Sequence, residues 1–267
     1  MEITTVTQEY MAKLFSQGKR FDGRALTDFR KLGIAHEISN KAEGSVRIKL
    51  GNTDVVVGVK LGLGAPYPDS PDKGNLMCTS ELLPIASPKF ESGPPNFRAI
   101  EVGRLVDRAM RESGMIDLTK LVITPGEKVW TIYIDIYPLN DDGNLIDVST
   151  IGALLALKNA KMPSLDKDGN IDYSSKKGSL PLSKEIAPLS LSFYKLKDSI
   201  IIDPTREEEE VCEARVTFGI SKWDKKFMLN SCQKAGSATF SKEEIDKIMD
   251  LMIPKYNELS ENLKKLL

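Results

Sequence analysis

Short apolar runs broken by glycine, proline and asparagine punctuate this chain. Gly33 to Ser39, Ser45 to Leu50 and Thr53 to Lys60 read as strands, the last two joined by a tight hairpin turn at Gly51-Asn52. Val55, Val56 and Val57 in succession predict a strand buried on both faces. Leu76 to Ile85 is a further strand, after an irregular proline-bearing loop from Gly62 to Gly74. Leu118 to Thr124 and Val129 to Tyr137 flank Pro125-Gly126. The second of these alternates, with Trp130, Ile132, Ile134 and Ile136 on one face and Thr131, Tyr133, Asp135 and Tyr137 on the other. Strand patterns return at Leu189 to Lys195, Ser199 to Asp203, Ala214 to Ile220 and Phe227 to Lys234.

Helical patterns fall between these runs. Gln8 to Gln17 is predicted helical, with Gly18 closing it. Lys19 to Arg24 follows as a basic turn in which Asp22-Gly23 supplies the left-handed position. Ile146 to Lys161 is rich in Ala and Leu, which predicts a buried helix, and the polar segment Met162 to Lys177 is expected to be an exposed loop or hairpin. A last helix opens at Ser241, whose capping box closes on Glu244, and Pro254 is expected to kink or break it before an amphipathic end at Leu267. Each half of the chain is thus several strands followed by a helix. The expected fold is α+β: an N-terminal helix and basic turn over 1–24, a first lobe over 25–184 and a second over 185–267.

The stretch from Glu91 to Ser113 adds chemistry to this pattern. Gly93-Pro94-Pro95 marks a loop, Asn96 is a suitable N-cap, and Phe97, Ile100, Leu105, Val106, Ala109 and Met110 follow helical spacing. Arg104, Arg108 and Arg111 stand at i, i+4 and i+7, and Arg98 sits in the first turn, where a helix already favours anions. The bland outcome is a solvated face, because Glu101, Asp107 and Glu112 are spaced to pair with these arginines.

Overall charge does not favour a polyanion: 37 basic against 38 acidic residues leave a net charge of −1, so any nucleic-acid contact must come from local patches. Cys78, Cys212 and Cys232 are odd in number and scattered, which argues against disulfides or a zinc site and fits a reducing cytosol. His36 is the only histidine, so histidine-centred triads and metal clusters are not expected. No run approaches the ~20 apolar residues of a membrane span, and the expectation is a cytoplasmic protein with no membrane contact.

The order of motifs Arg20-Phe-Asp-Gly-Arg24, Ala42-Glu-Gly-Ser45, Gly51-Asn-Thr53 and Glu101-Val-Gly-Arg-Leu-Val-Asp-Arg108 resembles the RNase PH family of phosphorolytic ribonucleases. Gly93-Pro-Pro95, Leu118-Thr-Lys-Leu-Val-Ile123, Pro125-Gly126 and Asp203-Pro204 look most like the non-catalytic RNase PH-like subunit of the archaeal exosome. The resemblance spans Gly18 to the C-terminal helix. It implies two βαβα lobes of the ribosomal protein S5 domain 2-like type packed around a shared core. It also implies a six-subunit ring in which this chain alternates with a catalytic paralogue, RNA-binding cap proteins on that ring, and single-stranded RNA threaded through its channel.

Three places decide whether such a chain is itself an enzyme, because phosphorolysis must clamp dianions. By the resemblance, Arg98 matches an arginine that opens the helix in active members. A second phosphate clasp, Gly-Ser-Arg or Gly-Thr-Arg, is matched by Gly143-Asn144-Leu145, and leucine binds no phosphate. A carboxylate pair thought to act as general acid or metal ligand is matched in degenerate form by Asp203 and Glu209. With the clasp missing, Asp203 before Pro204 is read as a turn residue and Glu207 to Glu210 as a solvated charge run. The leading expectation is therefore a subunit without phosphorolysis, cofactor or metal of its own, offering Arg104, Arg108 and Arg98 to RNA phosphates. The competing one is a phosphate-dependent 3′→5′ exoribonuclease using Asp203 and Glu209, with Mg²⁺ as a candidate metal. Phe97 is expected in the core, Arg111 against a carboxylate or at a subunit interface, and the loop Gly64 to Asp69, which lacks arginine, as a shaper of the channel.

Overall fold

A computed structural model describes residues 4–224 and 226–266, apart from the side chains of 176 and 177. Residues 1–3 of the expected N-terminal segment and the expected helix end at Leu267 lie outside the described residues. The first sheet takes its order from hairpin connections. Strands β1 (Leu32–His36), β2 (Gly44–Leu50) and β3 (Thr53–Gly64) form a meander, and β6 (Lys128–Asn140) adds antiparallel to β3. β4 (Asn75–Ser80) then pairs parallel to β6 from the far edge, and β5 (Val122–Thr124) is a short hairpin partner of β6. The second sheet is antiparallel in the order β10-β9-β11-β12, from β9 (Leu189–Leu196), β10 (Ser199–Ile202), β11 (Ala214–Trp223) and β12 (Lys226–Gly236).

Helices fill the space around these sheets. α3 (Leu145–Asn159) packs on β2 and β3 of one sheet and on β9 of the other. Being covered on all sides, it is apolar all round rather than amphipathic. α2 (Phe97–Arg111) lies against β4, α3 and the second sheet, and α5 (Lys242–Leu266) packs on β9 and β1. One continuous core therefore joins both halves, from Val46, Val57 and Ile134 to Leu191, Phe218 and Tyr256. A smaller cluster seats α1 (Thr5–Ser16) on the second sheet through Met11, Phe15, Tyr194 and Ile201.

Several expectations need correction. The strand expected over Leu76 to Ile85 stops at Ser80, and Leu118–Leu121 is a short 3₁₀ turn held by Asp117 instead of a strand. Val56 is only half-buried, because β3 has one open face there. The polar 162–177 segment, expected as a loop or hairpin, is the hairpin: β7 (Lys161–Leu165) pairs with β8 (Ile171–Ser179). Pro254 does not break α5, which runs on for 25 residues. The proline costs about 3 kcal/mol, but buried Ile248 and Met252 on one side and Tyr256, Leu259 and Leu263 on the other hold the helix through it. The glutamate run is itself a helix, α4 (Arg206–Val211), opened by a Thr205–Glu208 capping box.

Candidate anion and nucleic-acid site

α2 buries one face and presents the other. Asn96 Oδ1 accepts from the Ala99 N–H at 2.9 Å, a cap worth about 1 kcal/mol. Ala99, Val102, Val106, Ala109 and Met110 are buried, and Gly103 permits close approach to β4. A Cβ at Gly103 would come within 3.1 Å of the Cys78 carbonyl oxygen. Phe97, expected in the core, is instead 80% exposed, and Ile100 of the same apolar spacing is 50% exposed. At about 100° per residue, Phe97 stands some 160° round the helix from Ala99. Its fit to the apolar spacing is therefore coincidental.

The four arginines of α2 divide into tied and free. Arg111 donates to both oxygens of Asp107 at 3.0 and 2.7 Å and to the Leu76 carbonyl at 2.7 Å. Glu101, another of the three acids expected to pair along the helix, instead accepts from Arg215 Nη2 of β11 at 2.6 Å. With Glu101 bound to Arg215 and Asp107 to Arg111, Arg104 and Arg108 are exposed, and among the described residues their side chains have no ion pair or hydrogen bond.

Arg98 lies in a different setting. Its Nη2 reaches Asp141 Oδ2 at 3.4 Å and Glu209 Oε2 at 3.5 Å. Burial alone would lower the Arg98 guanidinium, and the two carboxylates more than reverse it, first Glu209 and then Asp141. Burial pushes the Asp141 carboxyl up, while Arg98 opposes that shift. Glu209 Oε2 also accepts the backbone N–H of Asn144 at 3.0 Å, at the start of α3. An acidic side chain of this chain thus sits where a helix N-terminus and an arginine converge on an anion.

Beneath this corner, Asp203 is sealed. Its side chain is fully buried, and its carboxylate accepts from the Arg30 backbone N–H at 2.7 Å, Arg30 Nη2 at 2.7 Å and Asn144 Nδ2 at 3.0 Å. Arg24 adds a bond at 3.2 Å. Gly143 (φ +84°) lets Pro204 lie against the entry to α3, since a Cβ there would stand 2.6 Å from the Pro204 carbonyl oxygen. Arg20 pairs with Glu208 and donates to the Ile202 and Asp203 carbonyls at 2.9 and 2.8 Å. The Arg20–Arg24 motif is therefore structural in this fold, and Glu208 is a buried counter-ion rather than part of a solvated run.

Sequence reasoning did not find Arg30 or Asp141, and took no functional signal from Asn144. Only the Thr205–Glu208 capping box was readable in advance. Deeper still, Asp147 is fully buried and accepts from the Ser192 N–H and Oγ at 3.1 and 2.8 Å. Burial raises its carboxyl to about 7, and the Ser192 bonds only partly oppose that. Among the described residues, no group of three or more His, Cys, Asp or Glu side chains is placed to hold a metal ion. Among the described residues, no helix is long and apolar enough to cross a membrane.

Two lobes sharing one core, with an arginine helix beside the entry to α3, define an RNase PH-type protein. Residues 28–163 match domain 1 of the 3′ exoribonuclease family and residues 187–253 match its domain 2, and the chain belongs to that family. Within it, the chain is 42% identical to the exosome complex component Rrp42 of Thermococcus onnurineus over 98% of this chain and 96% of that protein. It is also 42% identical to the Rrp42 component of Methanosarcina acetivorans, over 96% of this chain and 93% of that protein. A chain of the Archaeoglobus fulgidus exosome with RNA bound to the active site superposes with a TM-score of 0.88 at 40% identity, covering 97% of this chain and 98% of that one. Rice Rrp46, at 17% identity and a TM-score of 0.68 over 93% of this chain and 100% of its own, shares the fold.

Proposed function

We propose that this chain is a non-catalytic, RNA-holding subunit of an exosome, a 3′→5′ phosphorolytic RNA-degrading ring, working beside a catalytic paralogue. The observation that carries this reading is the contrast between the two arginine groups. At the entry to α3, Arg98 and the Asn144 N–H are already engaged by Glu209, and Asp203 is locked by Arg30 and Arg24. A carboxylate sealed from solvent transfers no proton to a leaving group. Arg104 and Arg108 are free and exposed. They are suited to RNA phosphates in a way that is salt-dependent and indifferent to sequence. The similar archaeal exosome structure has RNA bound to its active site, which supports an RNA-handling role for the assembly.

The test is phosphate-dependent release of nucleoside diphosphates from a short single-stranded RNA. The purified chain alone is expected to be silent, and its mixture with the catalytic paralogue active. Arg104→Glu with Arg108→Glu should weaken RNA binding by the mixture and flatten its salt dependence while leaving assembly intact. Release by the chain alone, abolished by Asp203→Asn, would restore the enzyme reading. Unchanged RNA binding and turnover in the double variant would remove the RNA-contact role.

A further inference from the structure

A large exposed aromatic side chain at the start of a rigid helix needs an explanation, and among the described residues Phe97 has none. It is 80% exposed. It opens α2 immediately after the Asn96 cap, so its backbone is held by the first turn and its ring has only two rotatable bonds. On a helical projection Arg104 and Arg108 fall about 20° to either side of Phe97, so the three lie within about 40° of one another. Along the axis, Phe97 and Arg104 are about 10 Å apart and the two arginines about 6 Å.

The two acids within α2 are both engaged elsewhere. Glu101, the acid nearest to it on the projection, is drawn to Arg215, and Asp107 is held by Arg111. Arg98, next in sequence, turns inward to Asp141 and Glu209. What remains on this face is the Phe97 ring, half-exposed Ile100 three residues on, and the guanidinium groups of Arg104 and Arg108, with exposed Glu112 at the C-cap beyond them.

We infer that Phe97 is a stacking platform for a base of the single-stranded RNA whose phosphates Arg104 and Arg108 hold. The inference rests on the RNA-holding reading above and extends it from phosphates to a base. Every base presents a π-face to an aromatic ring, so such a contact adds affinity without demanding a sequence. The adjoining cations favour a polyanion over an apolar protein surface. A phosphate contact alone leaves the strand free to rotate and slide. One stacked base would fix its register on α2, with the 3′ end directed toward the neighbouring subunit's chemistry.

The experiment uses the ring assembled with the catalytic paralogue and a fluorescein-labelled oligoadenylate, titrated by anisotropy at four salt concentrations. Phe97→Ala should weaken binding roughly 5- to 100-fold, with the slope of log affinity against log salt unchanged and the ring intact by light scattering. Phe97→Trp should retain binding, and the added tryptophan's fluorescence should be quenched by RNA relative to the unsubstituted ring. Arg104→Glu should lower both affinity and salt slope. If Phe97→Ala binds RNA as the parent does while Arg104→Glu is weakened, the stacking role is wrong and the RNA-holding reading stands. If Phe97→Ala dissociates the ring, the side chain belongs to a protein interface and the inference is overturned. If neither variant alters binding, both fail together.

Discussion

The entry to α3 and the outer face of α2 are both rich in arginine, and their chemistry is opposite. Around Asp203, the guanidinium groups of Arg20, Arg24, Arg30 and Arg98 each face a carboxylate of the same chain. On α2, Arg104 and Arg108 face solvent. An arginine becomes an anion receptor only when the fold leaves it without an internal counter-ion. A buried charge must be paired, because desolvation is otherwise prohibitive. The inner arginines are therefore committed to structure, and the outer ones, desolvated little, remain available. At the entry to α3 the chain's own acids occupy the places beside these guanidinium groups.

The sharpest way to break this comparison is to remove a counter-ion from the inner region. Asp203→Ala strands Arg30 and part of Arg24 in a buried site and should cost about 3–5 kcal/mol in urea denaturation. Arg104→Ala should change stability by less than about 0.5 kcal/mol. Equal losses would mean that the two regions do not differ in the way described.

Asp147 gives the inner region a pH signature. Its carboxyl is raised by burial from 3.8 to about 7 in the folded protein, so the folded state holds the proton more tightly than the unfolded state. The stability it contributes is fully present below pH 3.8 and is lost as pH rises to and through about 7. Asp147→Asn should flatten that segment of the stability–pH curve relative to the parent. Parallel curves for the two proteins would show that Asp147 titrates normally.

Glu209→Ala asks whether the inner region can be turned into an outer one. Freeing Arg98 and the Asn144 N–H should cost about 1–2 kcal/mol in phosphate-free buffer. Added inorganic phosphate should then raise the melting temperature of the variant and not of the parent, through binding to the native state alone. Identical phosphate responses would mean that Glu209 occupies no anion seat.

The smallest effect is expected from the reverse exchange on α2. Asp107→Asn releases Arg111 from its pair, adding a third cation beside Arg104 and Arg108. RNA affinity of the ring should rise a few-fold and its salt slope steepen by about 0.7, while stability changes by about 0.5 kcal/mol or less. An unchanged slope would place Arg111 off the RNA path.

Local signals carried much of the fold. The Ser45–Leu50 and Thr53–Lys60 hairpin, the alternation through Trp130 to Tyr137, the Asn96 cap and the Ser241–Glu244 box all appear where the sequence places them. Each depends on residues a few positions apart, so periodicity and capping suffice to read it. Shared signals explain the misses. Phe97 and Ile100 matched a helical spacing that did not specify which side was inner, and Glu207 to Glu210 looked like a solvated run although Glu208 is buried against Arg20.

The sequence by itself determined that α2 forms and carries arginines at regular intervals, and that the chain resembles an RNase PH-type protein. Which of those arginines are free was decided only by tertiary structure. Glu101 meets Arg215 across 114 residues, Arg98 meets Glu209 across 111 and Arg30 meets Asp203 across 173. Ion pairing depends on distance and burial in space, and no local spacing along the chain encodes either for partners so far apart.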